Sequence, residues 1–122
     1  MGKNAFDYLV EVDSETTLRG LSPDHSLLRK LPVRGIIVTA RSADPNFDFV
    51  SRFFAPAAGV DEDPVTGSAH CTLASFWCPR LGRSSLAGWQ ASARGGRVGV
   101  ELAGDRVLLT GRAVTVLRGD LV

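Results

Sequence analysis

The chain has 122 residues, enough for one domain that buries on the order of 65% of its extended-chain surface and too few for a second. Fourteen Lys and Arg against thirteen Asp and Glu leave a formal net charge of +1, and 44% hydrophobic with 22% charged residues is an ordinary soluble composition. The scattered arginines form no phosphate-tracking stripe and no apolar run approaches the ~18 residues of a membrane span, so neither nucleic acid nor a membrane is expected as a partner.

Met1-Gly-Lys-Asn leads straight into Phe6 without a signal peptide, which sets the expectation of a cytoplasmic protein. Phe6 to Val12 alternates as a strand does, with Phe6, Tyr8, Val10 and Val12 on a mostly apolar face and Asp7, Leu9 and Glu11 opposite. Ser14 to Leu18 fits either a short strand or a helical turn. Ser22-Pro23-Asp24 reads as a cap with proline at the first helical position; Leu27, Leu28 and Leu31 follow at helical spacing, and Pro32 ends a short surface helix carrying His25. Val33 to Ala40 is rich in β-branched residues and interrupted only by Arg34, the pattern of a strand buried on both faces. After a loop containing Pro45 and Asn46, Phe47 to Ala55 forms another strand, with Phe47, Phe49, Ser51 and Phe53 sharing a face, and Pro56 stops it.

Gly59 to Cys71, Gly-Val-Asp-Glu-Asp-Pro-Val-Thr-Gly-Ser-Ala-His-Cys, concentrates polar chemistry at the mouth of an apolar run. Pro64 fixes φ and removes a donor, Gly67 permits a positive φ or close approach of a ligand, and Thr66 or Ser68 can cap the helix that follows. The free amides and positive dipole end of a helix starting near Ser68 make an anion site. Each residue also has a purely structural reading. Asp63 is then a turn residue before proline, Asp61 and Glu62 are solvated loop charges, Ser68 is a plain cap, and His70 is a buried, hydrogen-bonded histidine rather than a proton donor to substrate.

Ala69, Cys71, Leu73, Ala74, Phe76, Trp77 and Leu81 leave almost no polar face, which predicts a helix buried on every side with strands wrapped around it. Cys71 and Cys78 lie on this helix roughly 10 Å apart in rise, too far for a disulfide, and read as buried free thiols. Pro79 costs ~3 kcal/mol inside a helix, so the helix is expected to end at Cys78 or kink there, with Gly82 as a natural stop. From Leu86 onward the chain reads as a glycine-punctuated antiparallel meander: Ala87 to Arg94, Arg97 to Leu102, Arg106 to Thr110, and Arg112 to Arg118 after Gly111. Arg94-Gly95-Gly96 is either a simple hairpin turn or a backbone approach to the pocket. With no repeat and no linker, residues 1–122 are one α+β domain.

The Gly59–Cys71 stretch resembles the second-half signature of the PhzF family, the phenazine-biosynthesis-like isomerases with a diaminopimelate-epimerase-like fold. The resemblance extends upstream through Phe6-Asp-Tyr-Leu-Val, Val33-Arg-Gly-Ile-Ile-Val-Thr-Ala and Phe49-Val-Ser-Arg-Phe-Phe-Ala-Pro. Downstream it takes in Gln90-Ala-Ser-Ala-Arg-Gly-Gly, Gly104-Asp-Arg-Val and Gly111-Arg-Ala-Val-Thr-Val. It implies a curled, mostly antiparallel, barrel-like sheet around one central helix, equivalent to the second of two facing halves. The implied chemistry is cofactor-independent and metal-free proton transfer on a small carboxylated substrate held between the two helix N-termini, with the base supplied by the first half. Carried over by position, Asp63 orients catalytic groups or relays a proton, and Ser68 hydrogen-bonds the reacting center or a substrate carboxylate. Thr66, Gly67, Ser68 and Ala69 supply backbone donors, and His70, Arg94 and Gly95 are further candidates beside them. Gly67 falls where related epimerases carry a thiol, which disfavors two-thiol racemisation and leaves Cys71 as a core residue. The rival expectation is a non-catalytic domain that binds a small anion or a partner. Between the two lies a homodimer imitating the two-half protein, or pairing with a separate first-half domain.

Overall fold

The computed structural model describes all 122 residues, and its organising element is one seven-stranded sheet whose strand order is the order of the sequence. The strands are β1 (Gly2–Lys3), β2 (Asp7–Glu11), β3 (Gly35–Arg41), β4 (Phe49–Phe54), β5 (Ser85–Gln90), β6 (Gly96–Ala103) and β7 (Arg106–Thr110). Four of the six pairings are antiparallel, while β2 with β3 and β4 with β5 are parallel. Each parallel pair needs a crossover. The first carries the short helices α1 (Glu15–Arg19) and α2 (His25–Leu28), and the second carries α3 (Gly67–Leu81), the long helix of the fold.

The two crossovers cover opposite faces of the sheet. Alternate residues of β3 and β4 divide between them: Ile37, Phe49 and Phe53 pack with Ala69, Leu73, Ala74 and Trp77 of α3, while Ile36, Val38, Val50 and Phe54 pack with Leu18 of α1. This is why β3 is buried from Gly35 to Ala40, as its unbroken β-branched run predicts. The result is the expected α+β fold, a curled sheet holding one helix on its inner side.

Several local expectations are corrected, and the open choice at Ser14–Leu18 is settled as a helix. On β2 the buried side is that of Asp7 and Leu9, the face expected to be polar, because α3 lies over it and Asp7 has an arginine partner inside. Ser14 to Leu18 is a helical turn, capped by the Ser14 hydroxyl accepting from the Thr17 amide. Pro23 precedes α2 rather than opening it, since the Asp24 carboxylate is the cap and accepts from Leu27 N–H at 3.1 Å. α3 runs through Pro79 to Leu81 and closes on Gly82 in the left-handed conformation at φ 64°. It is not buried all round: Gly67, Ser68, Ser75, Pro79 and Arg80 are exposed, because the sheet curls past only part of its circumference. Cys78 is buried and Cys71 half-buried, both as free thiols.

The last expected strand is absent. Residues 111–122 form no strand and are exposed throughout, Val114, Val116 and Leu117 at 85%, 93% and 86%. Their alternation is a capacity for sheet pairing, and no edge of this chain takes it up.

Close packing makes two strand glycines obligatory. A Cβ on Gly35 would stand 2.5 Å from Cζ of Phe53, and one on Gly88 would stand 2.4 Å from Cζ of Phe49. The Phe49 ring cannot retreat, because it is fully buried and stacked on Trp77 with centroids 6.3 Å apart. Gly88→Ala is therefore expected to cost about 1–3 kcal/mol in urea denaturation; an unchanged midpoint would show that the ring has room to move.

Candidate functional site

The Gly59–Cys71 stretch leaves β4 through a 3₁₀ turn at Pro56–Ala58 and enters α3 at Thr66. Its three carboxylates divide sharply. Asp61 is exposed and reaches Arg29 only at 3.8 Å. Glu62, expected as a solvated charge, receives both Nε and Nη2 of Arg52, at 2.8 and 2.9 Å. The same guanidinium also donates through Nη1 to the carbonyls of Leu18 and Leu21, so Glu62 is an anchor tying the loop to α1. Only Asp63 turns toward α3.

Asp63 is held from both its backbone and its side chain. Its amide donates to Phe53 O at 3.0 Å, and its Oδ2 accepts the Thr66 hydroxyl at 2.5 Å. That bond explains why Thr66, although the N-cap residue, leaves the helix amides uncapped by its side chain. Thr66 donates its own amide to Gln90, and the amides of Gly67, Ser68 and Ala69 find no acceptor within the chain. Asp63 Oδ1 is likewise without a partner. A carboxylate oxygen, three amides and the exposed Ser68 hydroxyl thus share one helix end, an arrangement suited to a small anion with a polar group beside it.

Gln90, on β5, is the residue behind this geometry, and the sequence gives it no functional signal beyond its place in a resembling stretch. It is completely buried. Its Oε1 accepts from Thr66 N–H at 2.7 Å, while its Nε2 donates to Asp63 O at 2.7 Å and to the Thr66 hydroxyl at 3.1 Å. One amide pairs the Thr66 N–H and the Asp63 carbonyl, which have no other partner, and adds a second bond to the Thr66 hydroxyl.

The loop after β5 closes the other flank. Ser92 donates to Pro64 O at 2.8 Å and accepts the Gly95 amide at 2.9 Å. Gly95 is left-handed at φ 72° with the Trp89 ring against it, and a Cβ on Gly96 would clash with the Val65 side chain. Arg94, Gly95 and Gly96 therefore line a groove of about 860 Å³ with Val65, Thr110 and Arg112. Gly67, by contrast, has no positive φ, and a Cβ there would meet only Leu109 at an ordinary 3.5 Å. Nothing in this chain demands a glycine at that position.

His70 lies beneath the helix entry, fully buried, with its ring 6.0 Å from that of Phe49. Its Nδ1 faces Thr66 O at 2.7 Å, which makes Nδ1 the protonated nitrogen of a neutral ring, and Nε2 has no partner. Burial holds its pKa below the usual 6.5, with the Thr66 carbonyl opposing in part. A lowered folded-state pKa means that the unfolded chain takes up the proton first, so stability is full above about pH 6.5 and falls as pH drops toward the folded value. The melting temperature is expected to fall by a few degrees between pH 7.5 and 5.5. His70→Asn, which keeps a donor for Thr66 O, should flatten that slope; an unchanged slope in the variant would assign it to other groups.

A second cluster joins the site from β2 and the segment before β3. Arg34 donates Nε and Nη2 to the two oxygens of the buried Asp7, at 3.0 and 2.5 Å, and Nη2 also donates to Ser68 Oγ at 3.0 Å. Asn4 completes the seam, with Nδ2 donating to Thr72 Oγ1 at 2.7 Å and Oδ1 accepting the amides of Phe6 and Asp7. The available signal for this cluster was the lone arginine breaking an apolar strand.

Comparison with known proteins agrees with this architecture. The family model described as phenazine biosynthesis-like protein, PhzC-PhzF, matches residues 3–119. An uncharacterised isomerase of Halalkalibacterium halodurans is 52% identical over the whole chain, which covers 46% of that relative. An uncharacterised isomerase of Pseudomonas aeruginosa is 55% identical over 113 residues, 93% of this chain and 42% of the relative. A crystal structure of a PhzC/PhzF protein from Clostridium difficile superposes with a TM-score of 0.84 at 39% identity, over 94% of this chain and 44% of that one. The chain thus spans less than half the length of these relatives, and within that span it is similar to them in sequence and fold: it belongs to the PhzC/PhzF phenazine biosynthesis-like family.

Proposed function

We propose that the chain forms the Asp63 and Ser68 side of an isomerase active site, working on a small carboxylated substrate by proton transfer without a cofactor. A complementary half carrying the base faces it. The observation that carries this reading is the state of Asp63. One oxygen is fixed by Thr66 and the other is unpartnered, at a helix end where three amides are free and the Ser68 hydroxyl, accepting from Arg34, keeps its proton to donate.

The substrate carboxylate accepts hydrogen bonds from the amides of Gly67, Ser68 and Ala69, where the helix dipole favors negative charge. This fixes the carbon skeleton against the open oxygen of Asp63. As the opposite base removes a proton, negative charge grows on the carboxylate side of the substrate, and donors already aimed there stabilise it without reorganisation. Asp63 then orients the reacting group or relays the proton, and Ser68 donates its hydroxyl. His70, enclosed in the core, holds the Thr66 carbonyl and supports the loop rather than meeting substrate. Arg94 and Gly95 stand at the rim of the groove, where the far end of a substrate would lie.

A second reading, a domain that binds a small anion or a partner without chemistry, draws on the exposed alternation at Val114, Val116 and Leu117. The exposed segment also suits a homodimer or a separate first-half chain, and solution mass distinguishes these. For the catalytic reading, the chain is mixed with the first half of the Halalkalibacterium relative, and solvent deuterium incorporation is followed across small carboxylic acids. Asp63→Asn is expected to slow exchange by about a hundredfold or more, and Ser68→Ala by about tenfold or more. Exchange unaffected by Asp63→Asn would remove that residue from the mechanism. Absence of exchange in every acid, despite a complex of the two halves, would favor the binding domain.

A further inference from the structure

We propose that Arg34 is the charge-bearing member of this site, positioning the Ser68 hydroxyl as a donor and pairing with the anionic group of the substrate. The inference rests on the active-site reading above. Three features of the cluster lead to it.

First, Arg34 is more than a neutralising partner for Asp7. The Asp7 side chain is wholly buried, whereas that of Arg34 is 38% exposed. Its guanidinium is fixed at one edge by Asp7 and open at the other, so a charged edge stays available. Its pKa is raised by the hydrogen bonds it donates to Asp7, against partial desolvation, so the charge is permanent.

Second, the guanidinium is held rigidly. Nε and Nη2 grip Asp7 in the bidentate manner, the cation lies 5.6 Å from the ring centers of both Phe6 and Phe53, and the Arg34 amide donates to Phe6 O at 2.7 Å. The following residue is Gly35 because the Phe53 ring and the Phe54 carbonyl leave no room for a Cβ. An arginine clamped in this way loses little conformational freedom when it meets an anion.

Third, the direction of the bond to Ser68 sets what that hydroxyl can do. Nη2–H donates to Ser68 Oγ, occupying a lone pair, so the serine proton is left to be donated outward. Nη1 makes no hydrogen bond within the chain. A substrate carboxylate that accepts from Ser68 Oγ–H therefore meets the free face of a cation one bond away. The chemistry selects a negatively charged group over a neutral amide or ester at that position.

Benzoate and its neutral analog benzamide serve as probes, titrated into the full chain while the amide resonances of Gly67, Ser68 and Ala69 are followed by NMR. In the unsubstituted chain benzoate should shift these amides saturably and benzamide should not. Arg34→Gln leaves Asp7 buried and unpaired and can fail to fold, so the double variant Asp7→Asn with Arg34→Gln replaces the ion pair by two neutral amides. That variant should bind benzoate about tenfold more weakly or worse, and Arg34→Lys, which restores charge without the bidentate fork, should recover part of the loss. Benzoate binding unchanged in the folded double variant would overturn the role of Arg34 and leave the anion pocket standing, whereas equal affinity for benzamide in the unsubstituted chain would overturn the pocket's preference for an anion and Arg34 with it. No benzoate response at these amides in the unsubstituted chain would overturn the pocket itself and Arg34 with it.

Discussion

The arrangement of the site depends on one buried side chain, Gln90. Its amide satisfies the Thr66 N–H, the Thr66 hydroxyl and the Asp63 carbonyl together, and so sets the angle at which the acidic loop enters α3. Because Gln90 pairs through its backbone with Ser51 on β4 and Gly96 on β6, that angle is referenced to the middle of the sheet. The hydroxyl of Thr66, relieved of capping, turns to Asp63. The placement of Asp63 and Thr66 thus follows from a hydrogen-bond accounting in the core: a loop carrying buried polar atoms has to be answered by something, and one glutamine meets it with three bonds.

Two salt bridges brace the same loop from outside. Arg52 fixes Glu62 to the end of α1, and Arg34 fixes the Ser68 end to β2 through Asp7. Both arginines are bidentate, and each lies near a phenylalanine ring, Phe54 for Arg52 and Phe53 for Arg34. Consecutive residues of β4 thus support opposite ends of the loop from opposite faces of the sheet. A short, charged, proline-containing segment is held without a regular structure of its own, which is how loops carry function on a rigid frame.

Much of this was legible in the sequence, and the limits have physical causes. The both-face burial of β3 was readable because β-branched runs have few other uses, and the start of α3 because Pro, Thr, Gly and Ser mark a helix entry. The polarity of β2 was misread because a periodic pattern does not reveal that Asp7 will be neutralised by a residue 27 positions away. The full enclosure of α3 failed for a related reason: an apolar helix reports what it would like to bury, and the number of strands available decides what is covered. Arg112 to Arg118 has a strand's alternation but pairs with neither open edge of the sheet, which periodicity alone does not reveal. Gln90 and Arg34 act through tertiary contacts, so single residue types at single positions could not announce them.

The sequential strand order carries a consequence for how the molecule assembles. Most pairings join neighbors in sequence through short connections, and such contacts form early and at little loop-closure cost. The join between β4 and β5 is different: it is parallel, rests on only three residue pairs from Phe49 to Ser51, and encloses both the acidic loop and all of α3. The two halves of the sheet can therefore form as separate nuclei before this seam closes. The anion pocket exists only once it has, since Gln90 stands on one side of the seam and Phe53, the acceptor for Asp63, on the other. The contacts of Gln90 with Asp63 and Thr66 are therefore complete only when the fold is.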